Sequence, residues 1–375
     1  VQPKRILTIA GTRPEAVKLA PLVRLLGHHG GIHHRLVATG QHGSRFHAAL
    51  ADFDLVTDGD LALPNPSPER FADELAGAVP SLIEAFAPDL VLVQGDTTSA
   101  WATALAAAAC GVPIGHVEAG LRSGNPRVPW PEERNRIEID ALSALLFAPS
   151  EAAAANLAGL PGEVHVTGNT GIDALLEMRA RTPLTLHDGS LDKLILVTCH
   201  RGEAIPYLGN LAKALRRIAR RPDVQVVLPL HGNPAIAGPL RAMLADTARI
   251  RLTDPLSYPA MLRMMQAAHV LLTDSGGLQE EAPALGLPTL VLRDLTERPE
   301  PLAAGSTRLV GLNPTRIVRE TERLIDDELA HARMARPCFP YGRGDAAVRT
   351  IEAINRWLGI PGFAIHDQHA VGNYR

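Results

Sequence analysis

Short runs of Val, Ile and Leu recur along the chain, and Ala- and Leu-rich stretches with helical spacing lie between them. In the first half, KRILTIAG (4–11) leads into a helix through Pro21 and Leu22, and HRLVATG (34–40) is a second strand. DLVLVQGD (89–96) precedes the helix TTSAWATALAAAACG, and the strand VPIGHVE (112–118) follows it. Runs of this kind with helices between them predict parallel sheets covered on both faces. The pattern restarts after a polar stretch containing Pro and Gly, RTPLTLHDGSLD (181–192). There DKLILVTCH (192–200), VQVVLPLH (224–231), IRLTDP (250–255), HVLLTD (269–274) and LPTLVLRD (287–294) form a second set. Two doubly wound α/β domains are expected, residues 1–178 and 179–354, with the linker near 175–190. The last helix, AAVRTIEAINRWLG (346–359), has an apolar face, and no fixed-period repeat appears.

Composition narrows the picture. At 375 residues the chain is long for one core and natural for two. A hydrophobic fraction of 46% with 21% charged residues is ordinary for globular protein. A net charge of −3 gives no general attraction to nucleic acid or to an acidic membrane, so any anion site has to be built locally. Cys110, Cys199 and Cys338 lie far apart without CxxC spacing and read as free, buried thiols. The longest apolar run, ALAAAACGVPIG (104–115), is too short and broken to span a bilayer, and the chain opens on a strand and a loop. A soluble, cytoplasmic protein is expected.

The candidate chemistry gathers where the strands end. GTRPE, TGQH, QGDTTS, HVEAGLR, CHRGE, LHGNP, TDSGG and RDLTERPE all follow apolar runs. Ligands of open parallel sheets bind beyond the carboxyl ends of the strands, so substrate is expected in a cleft between two such edges. Arg13 and Lys18 offer a planar fork and a point charge to phosphate. Asp96 either caps the following helix or acts chemically. Glu118, at a buried strand end, needs a partner. Glu132, Glu133, Arg134 and Arg136 read either as an exposed helix start or as part of the site. His200, Arg201, Glu203 and His231 follow consecutive strands, whereas the His pairs at 28–29 and 33–34 read as solvated. Zinc, P-loop, GxGxxG and nucleophile-elbow patterns are missing. TDSGGLQEEAPALGL (273–287) sets anion-binding amides at a helix start, those of Ser275, Gly276 and Gly277, beside Glu280 and Glu281. A diphosphate joined to a ribose satisfies both demands, the carboxylate accepting from the sugar diol.

GTRPEAVKLAPL, TGQH, GDTTSA, HVEAGLRSG, PWPEERNR, VTGNTGIDAL, TDSGGLQEEAPALGLPTLVLRD, TERPE and AGSTRLVG closely resemble the non-hydrolysing UDP-N-acetylglucosamine 2-epimerases, from about residue 4 to residue 350. The resemblance implies a GT-B architecture, two Rossmann-like domains with an interdomain active-site cleft. It also implies a C-terminal helix, about 355–375, returning to the first domain. The implied reaction inverts carbon 2 of UDP-GlcNAc to give UDP-ManNAc without NAD or metal, through anti elimination of UDP and re-addition to 2-acetamidoglucal. Asp96, Glu118, Glu132 and His200 resemble the catalytic set. Arg13, Lys18, Ser275, Gly276 and Gly277 resemble diphosphate ligands, Glu281 the ribose acid, and Arg298 a further substrate contact, with Arg136 and His231 counted among the binding residues. A homodimer is also implied.

The chain departs from that pattern in three places. It reads HRGEA (200–204) where the family usually has HRREN, so Gly202 removes a cation. TGQH runs into Gly43, Ser44, Arg45 and Phe46 rather than a polar residue and a Met-Leu pair. Glu74 stands where members with an activator site carry Arg, and it would repel the diphosphate of a second UDP-GlcNAc. Substrate activation is therefore expected to be weak or absent. The competing readings are a hydrolysing 2-epimerase, a GT-B glycosyltransferase and a non-catalytic nucleotide-sugar sensor.

Overall fold

The computed structural model describes residues 2–65, 67–182 and 192–360. Most of the polar stretch at 181–192 and the chain from 361 onwards, where much of the implied C-terminal helix falls, lie outside the described residues. The chain divides into two compact units. One takes the described residues up to Met178 and again from Tyr341, and the other is Arg179–Pro340.

The first unit is a parallel sheet of seven strands in the order β3-β2-β1-β4-β5-β6-β7. Its strands are β1 (Lys4–Ala10), β2 (Ile32–Ala38), β3 (Gly59–Asp60), β4 (Leu90–Gln94), β5 (Ile114–Val117), β6 (Leu145–Ala148) and β7 (Glu163–Val166). The central β4 is buried at every position, which explains its apolar run LVLV before Gln94. The helix Thr98–Ala109 covers it with alanines, and the helix Pro68–Phe86 packs Phe71, Leu75, Val79 and Ile83 into the same core.

The second unit holds β8 (Lys193–Thr198), β9 (Val224–Pro229), β10 (Ile250–Thr253), β11 (Val270–Thr273), β12 (Thr289–Val291) and β13 (Thr307–Leu309). Their order is β10-β9-β8-β11-β12-β13. In both sheets the order reverses beside the first strand of the unit, the topological switch point of doubly wound folds. All these pairings are parallel, so the loops named from sequence sit together at the carboxyl edge of their own sheet.

Several readings change. The chain rejoins the first unit at Tyr341, earlier than the expected boundary at 354, because Tyr341 is buried there and its carbonyl accepts from Asn169 N at 2.8 Å. The final helix is Ala346–Leu358, closed by Gly359 in the left-handed region. His29 and His34 are not solvated. His29 is buried with Nε2 3.1 Å from Asn355 Nδ2, and His34 Nε2 lies 2.9 Å from Thr8 Oγ1. Burial lowers the His34 ring to about 4. The cysteines are free, but only Cys199 is buried; Cys110 is exposed. Among the described residues no helix is long and apolar enough to cross a membrane.

Candidate active site

In the first unit, the turns after β1 and β4 are tied through one buried carboxylate. Thr12 caps the helix Arg13–Gly27 in a reciprocal box with Glu15. Glu15 also accepts from Gly11 N at 3.1 Å and from Thr97 Oγ1 at 2.8 Å, and its burial pushes the carboxyl up. The Arg13 amide donates to His42 Nδ1 at 3.1 Å, joining GTRPE to TGQH.

The cap of the helix after β4 is Thr97, which accepts from Ala100 N; Asp96 does not cap it. Asp96 instead takes two contacts from the Arg136 guanidinium, one of them from Nε at 3.1 Å, while Asn135 Nδ2 donates to the Asp96 carbonyl at 2.9 Å. Arg136 and Glu133 are buried and paired at 2.7 Å, so the helix Glu132–Leu142 does not start as an exposed charged face. Glu132, in its first turn, is half-buried.

Glu118, one strand over, stands at φ 73, a left-handed conformation costing a non-glycine residue about 1–3 kcal/mol. Its amide donates to the Phe147 carbonyl at 3.1 Å. Its carboxylate is ion-paired with Lys18 and also accepts from Asn169 Nδ2 at 3.3 Å. Thus Lys18 and Arg136, both read from sequence as substrate contacts, stand on two of the three candidate acids, Glu118 and Asp96.

In the second unit, Asp274 at the end of β11 organises the loop after β8. It accepts from the amides of His200 at 2.9 Å and Arg201 at 3.0 Å, and lies 3.2 Å from His200 Nδ1. Burial alone would raise this carboxyl, but the His200 contact and the two amides bring it below the ordinary range. The His200 and His231 rings meet edge to face, centroids 5.4 Å apart.

The helix Gly276–Ala284 starts beside them. The Ser275 amide is already engaged by Thr273 Oγ1 at 2.9 Å, which leaves Gly276 and Gly277 as the first helical amides without an intrahelical acceptor. A Cβ on Gly276 would stand 2.5 Å from the Arg298 guanidinium carbon, whereas one on Gly277 would meet nothing within 4 Å. Arg298 is buried, held by Glu280 at 2.6 Å and by Glu297, and so neutralises Glu280 beside the helix start. Glu281, one residue on, accepts from Tyr258 Oη at 3.2 Å.

Sequence reading missed Asp274, Asn169 and Glu297. Each lies inside a quoted motif or next to one, but nothing in a linear pattern says which donor a carboxylate or amide will face. Gly202 opens a 3-10 turn, Gly202–Tyr207, where a side chain would meet nothing within 4 Å. Glu74 is exposed on the helix Pro68–Phe86. Among the described residues no cluster of three or more His, Cys, Asp or Glu side chains is placed to hold a metal ion.

Two Rossmann-like sheets, one edged with cation-paired acids and the other with a glycine-started helix, Arg and paired His, define an enzyme of the nucleotide-sugar class with GT-B architecture. The model of the family described as UDP-N-acetylglucosamine 2-epimerase matches residues 24–355. A probable UDP-N-acetylglucosamine 2-epimerase of Ralstonia nicotianae is 44% identical, over 95% of this chain and 100% of the relative. The UDP-N-acetylglucosamine 2-epimerase of Escherichia coli K12 is 42% identical, over 93% and 98%. The crystal structure of UDP-GlcNAc 2-epimerase from Neisseria meningitidis bound to UDP-GlcNAc superposes with a TM-score of 0.90 at 37% identity, over 94% of this chain and 100% of that one. The chain belongs to the UDP-N-acetylglucosamine 2-epimerase family and is an isomerase.

Proposed function

We propose that the chain interconverts UDP-GlcNAc and UDP-ManNAc without releasing free sugar. The observation that carries this reading is the pairing at neighbouring strand ends, Asp96 with Arg136 and Glu118 with Lys18. The hydrogen on carbon 2 has no adjacent carbonyl, so its removal depends on loosening the anomeric C–O bond first. In the forward elimination a carboxylate takes the carbon 2 proton as the C–O electron pair leaves with UDP, giving a carbon 1–carbon 2 double bond. Re-addition returns a proton to the opposite face of carbon 2 and UDP to carbon 1. The sequence is redox-neutral, so it calls for no hydride carrier.

Roles follow from chemistry. Asp96, Glu118 and Glu132 are the proton carriers, each such group contributing about 10²–10⁴-fold. Arg13, His200, Gly276 and Gly277 hold the departing diphosphate, where a well-placed donor is worth about 3–4 kcal/mol. His231 steadies His200, Glu281 takes the ribose diol, and Arg298 fixes the helix start. Lys18 and Arg136 act on the acids rather than on the phosphates. A homodimer is the assembly this reading expects.

Incubation with UDP-GlcNAc in D₂O, followed by NMR, tests the function. UDP-ManNAc carrying deuterium at carbon 2 is expected, and Asp96→Asn and Glu118→Gln should each slow its appearance at least about 10²-fold. Free ManNAc with UDP would make the chain a hydrolysing enzyme, and binding without exchange would make it a sensor.

A further inference from the structure

We infer that His116 and Asp140 are a positioning pair that holds the acid-bearing turns in register, an inference whose catalytic meaning rests on the epimerase reading above. The His116 ring is fully buried in β5, two residues before Glu118. Its Nε2 lies 2.8 Å from the Gly95 carbonyl oxygen and its Nδ1 lies 2.7 Å from Asp140 Oδ1. A carbonyl oxygen only accepts, so Nε2 carries a hydrogen. Asp140 Oδ2 receives the Gly120 amide at 3.2 Å and the Arg122 guanidinium at 2.7 Å. One hydrogen lies between Nδ1 and Asp140 Oδ1, so the pair bridges the Gly95 carbonyl to the Gly120 amide.

What those bonds fix is specific. Gly95, at φ 68, immediately precedes Asp96. Gly120, at φ 84, closes the turn that Glu118 opens at φ 73. Asp140 sits on the helix Glu132–Leu142, which begins with the third acid and sends Asn135 and Arg136 to Asp96. The three segments carrying Asp96, Glu118 and Glu132 thus converge on one buried pair. A misplacement of about 1 Å at a proton-transfer site costs about 10²-fold in rate. A pair that only satisfied the core would instead affect stability and leave turnover per folded molecule alone.

Two substitutions at Asp140 separate these roles. Asp140→Ala removes the acceptors for Gly120 and Arg122 and for the ring. Asp140→Asn keeps the geometry: its oxygen accepts from Gly120 and Arg122, and its amide donates to Nδ1 of a neutral ring whose Nε2–H still reaches Gly95. For Asp140→Ala, kcat per folded molecule with UDP-GlcNAc is expected to fall about 10²-fold, with KM changed less than about threefold. Asp140→Asn is expected within about fivefold of the parent. His116→Gln reaches only one of its two acceptors and is expected to lose at least about tenfold, which covers the case in which Asp140→Ala does not fold. Parent-like kcat in Asp140→Ala or His116→Gln, or Asp140→Asn as slow as Asp140→Ala, overturns the proposal. Should the parent itself not turn over UDP-GlcNAc, the functional reading fails separately. Crystal structures then decide the placement: the Gly95–Asp96 and Glu118–Gly120 turns must be displaced in His116→Gln, and unmoved turns overturn the pair.

Discussion

Single residues divide between those whose type announces a task and those whose task depends on an unseen partner. Glu118 was legible because an ionised group at the end of a buried run demands a counter-charge. Its partner was not, since Lys18 lies 100 positions away and reads equally well as a phosphate ligand. The same holds for Arg136 and Asp96, which are 40 positions apart. The pairings give Lys18 a testable role. Both members of its pair are more than nine-tenths buried, so removing the cation strands a carboxylate at a cost of about 3–5 kcal/mol. Lys18→Met should cut carbon 2 exchange about 10²-fold while the UDP dissociation constant, measured by calorimetry, moves less than about threefold. A phosphate-ligand Lys18 would show the reverse, weak UDP binding with exchange preserved at saturation.

Elements were legible where burial is two-sided. β1, β4, β8, β9 and β11 are mostly apolar runs near the middle of their sheets, and the sequence reads them directly. β3 has two residues, β6 lies next to Ala- and Leu-rich helical sequence, β7 is an edge strand with half-exposed positions, and β13 has three residues. β3, β7 and β13 offer too few apolar positions for a pattern to register, and the apolar β6 merges with the helical sequence before it. His29 and His34 were misread for a related reason, while His28 and His33 are exposed as expected: a polar ring covered by a neighbouring element looks the same in sequence as a solvated one. Element ends carry their own chemistry. The helix Ala346–Leu358 has no side-chain cap from Asp345 and borrows Asp173, which accepts from Ala346 N at 3.3 Å and Ala347 N at 2.9 Å. Burial outweighs those two bonds and lifts the Asp173 carboxyl from 3.8 to about 7. The folded state therefore holds this proton more tightly than the unfolded chain does. Its contribution is complete below about 3.8 and declines as pH rises towards about 7. Asp173→Asn keeps an acceptor but cannot titrate. Its thermal midpoint relative to the parent should climb between those two pH values and run parallel above them. A difference that ignores pH across that window would mean the carboxyl is not proton-linked.

At the scale of the whole molecule the two-domain plan was legible, because the strand-and-helix pattern visibly restarts near residue 192. The second crossing was not. Residues 341–345 are polar, rich in Gly and without periodicity, so nothing in them marks a return to the first unit. What marks it is three-dimensional: Tyr341 is 1% exposed and its carbonyl binds Asn169. Gly168 lies so near that a Cβ there would meet the Tyr341 carbonyl oxygen at 3.0 Å. A residue so covered belongs to the core it touches, and truncating it leaves a cavity there. Tyr341→Ala should cost about 3–4 kcal/mol, by analogy with other large aromatic deletions. The loss should be confined to one unit. Native-state hydrogen exchange would rise in β1, β4, β5 and the helix Ala346–Leu358, whereas β8, β9 and β11 would keep the parent's protection. Faster exchange in the second sheet, with the first unchanged, would assign the segment after Pro340 to the other unit and place the domain boundary where the sequence had put it.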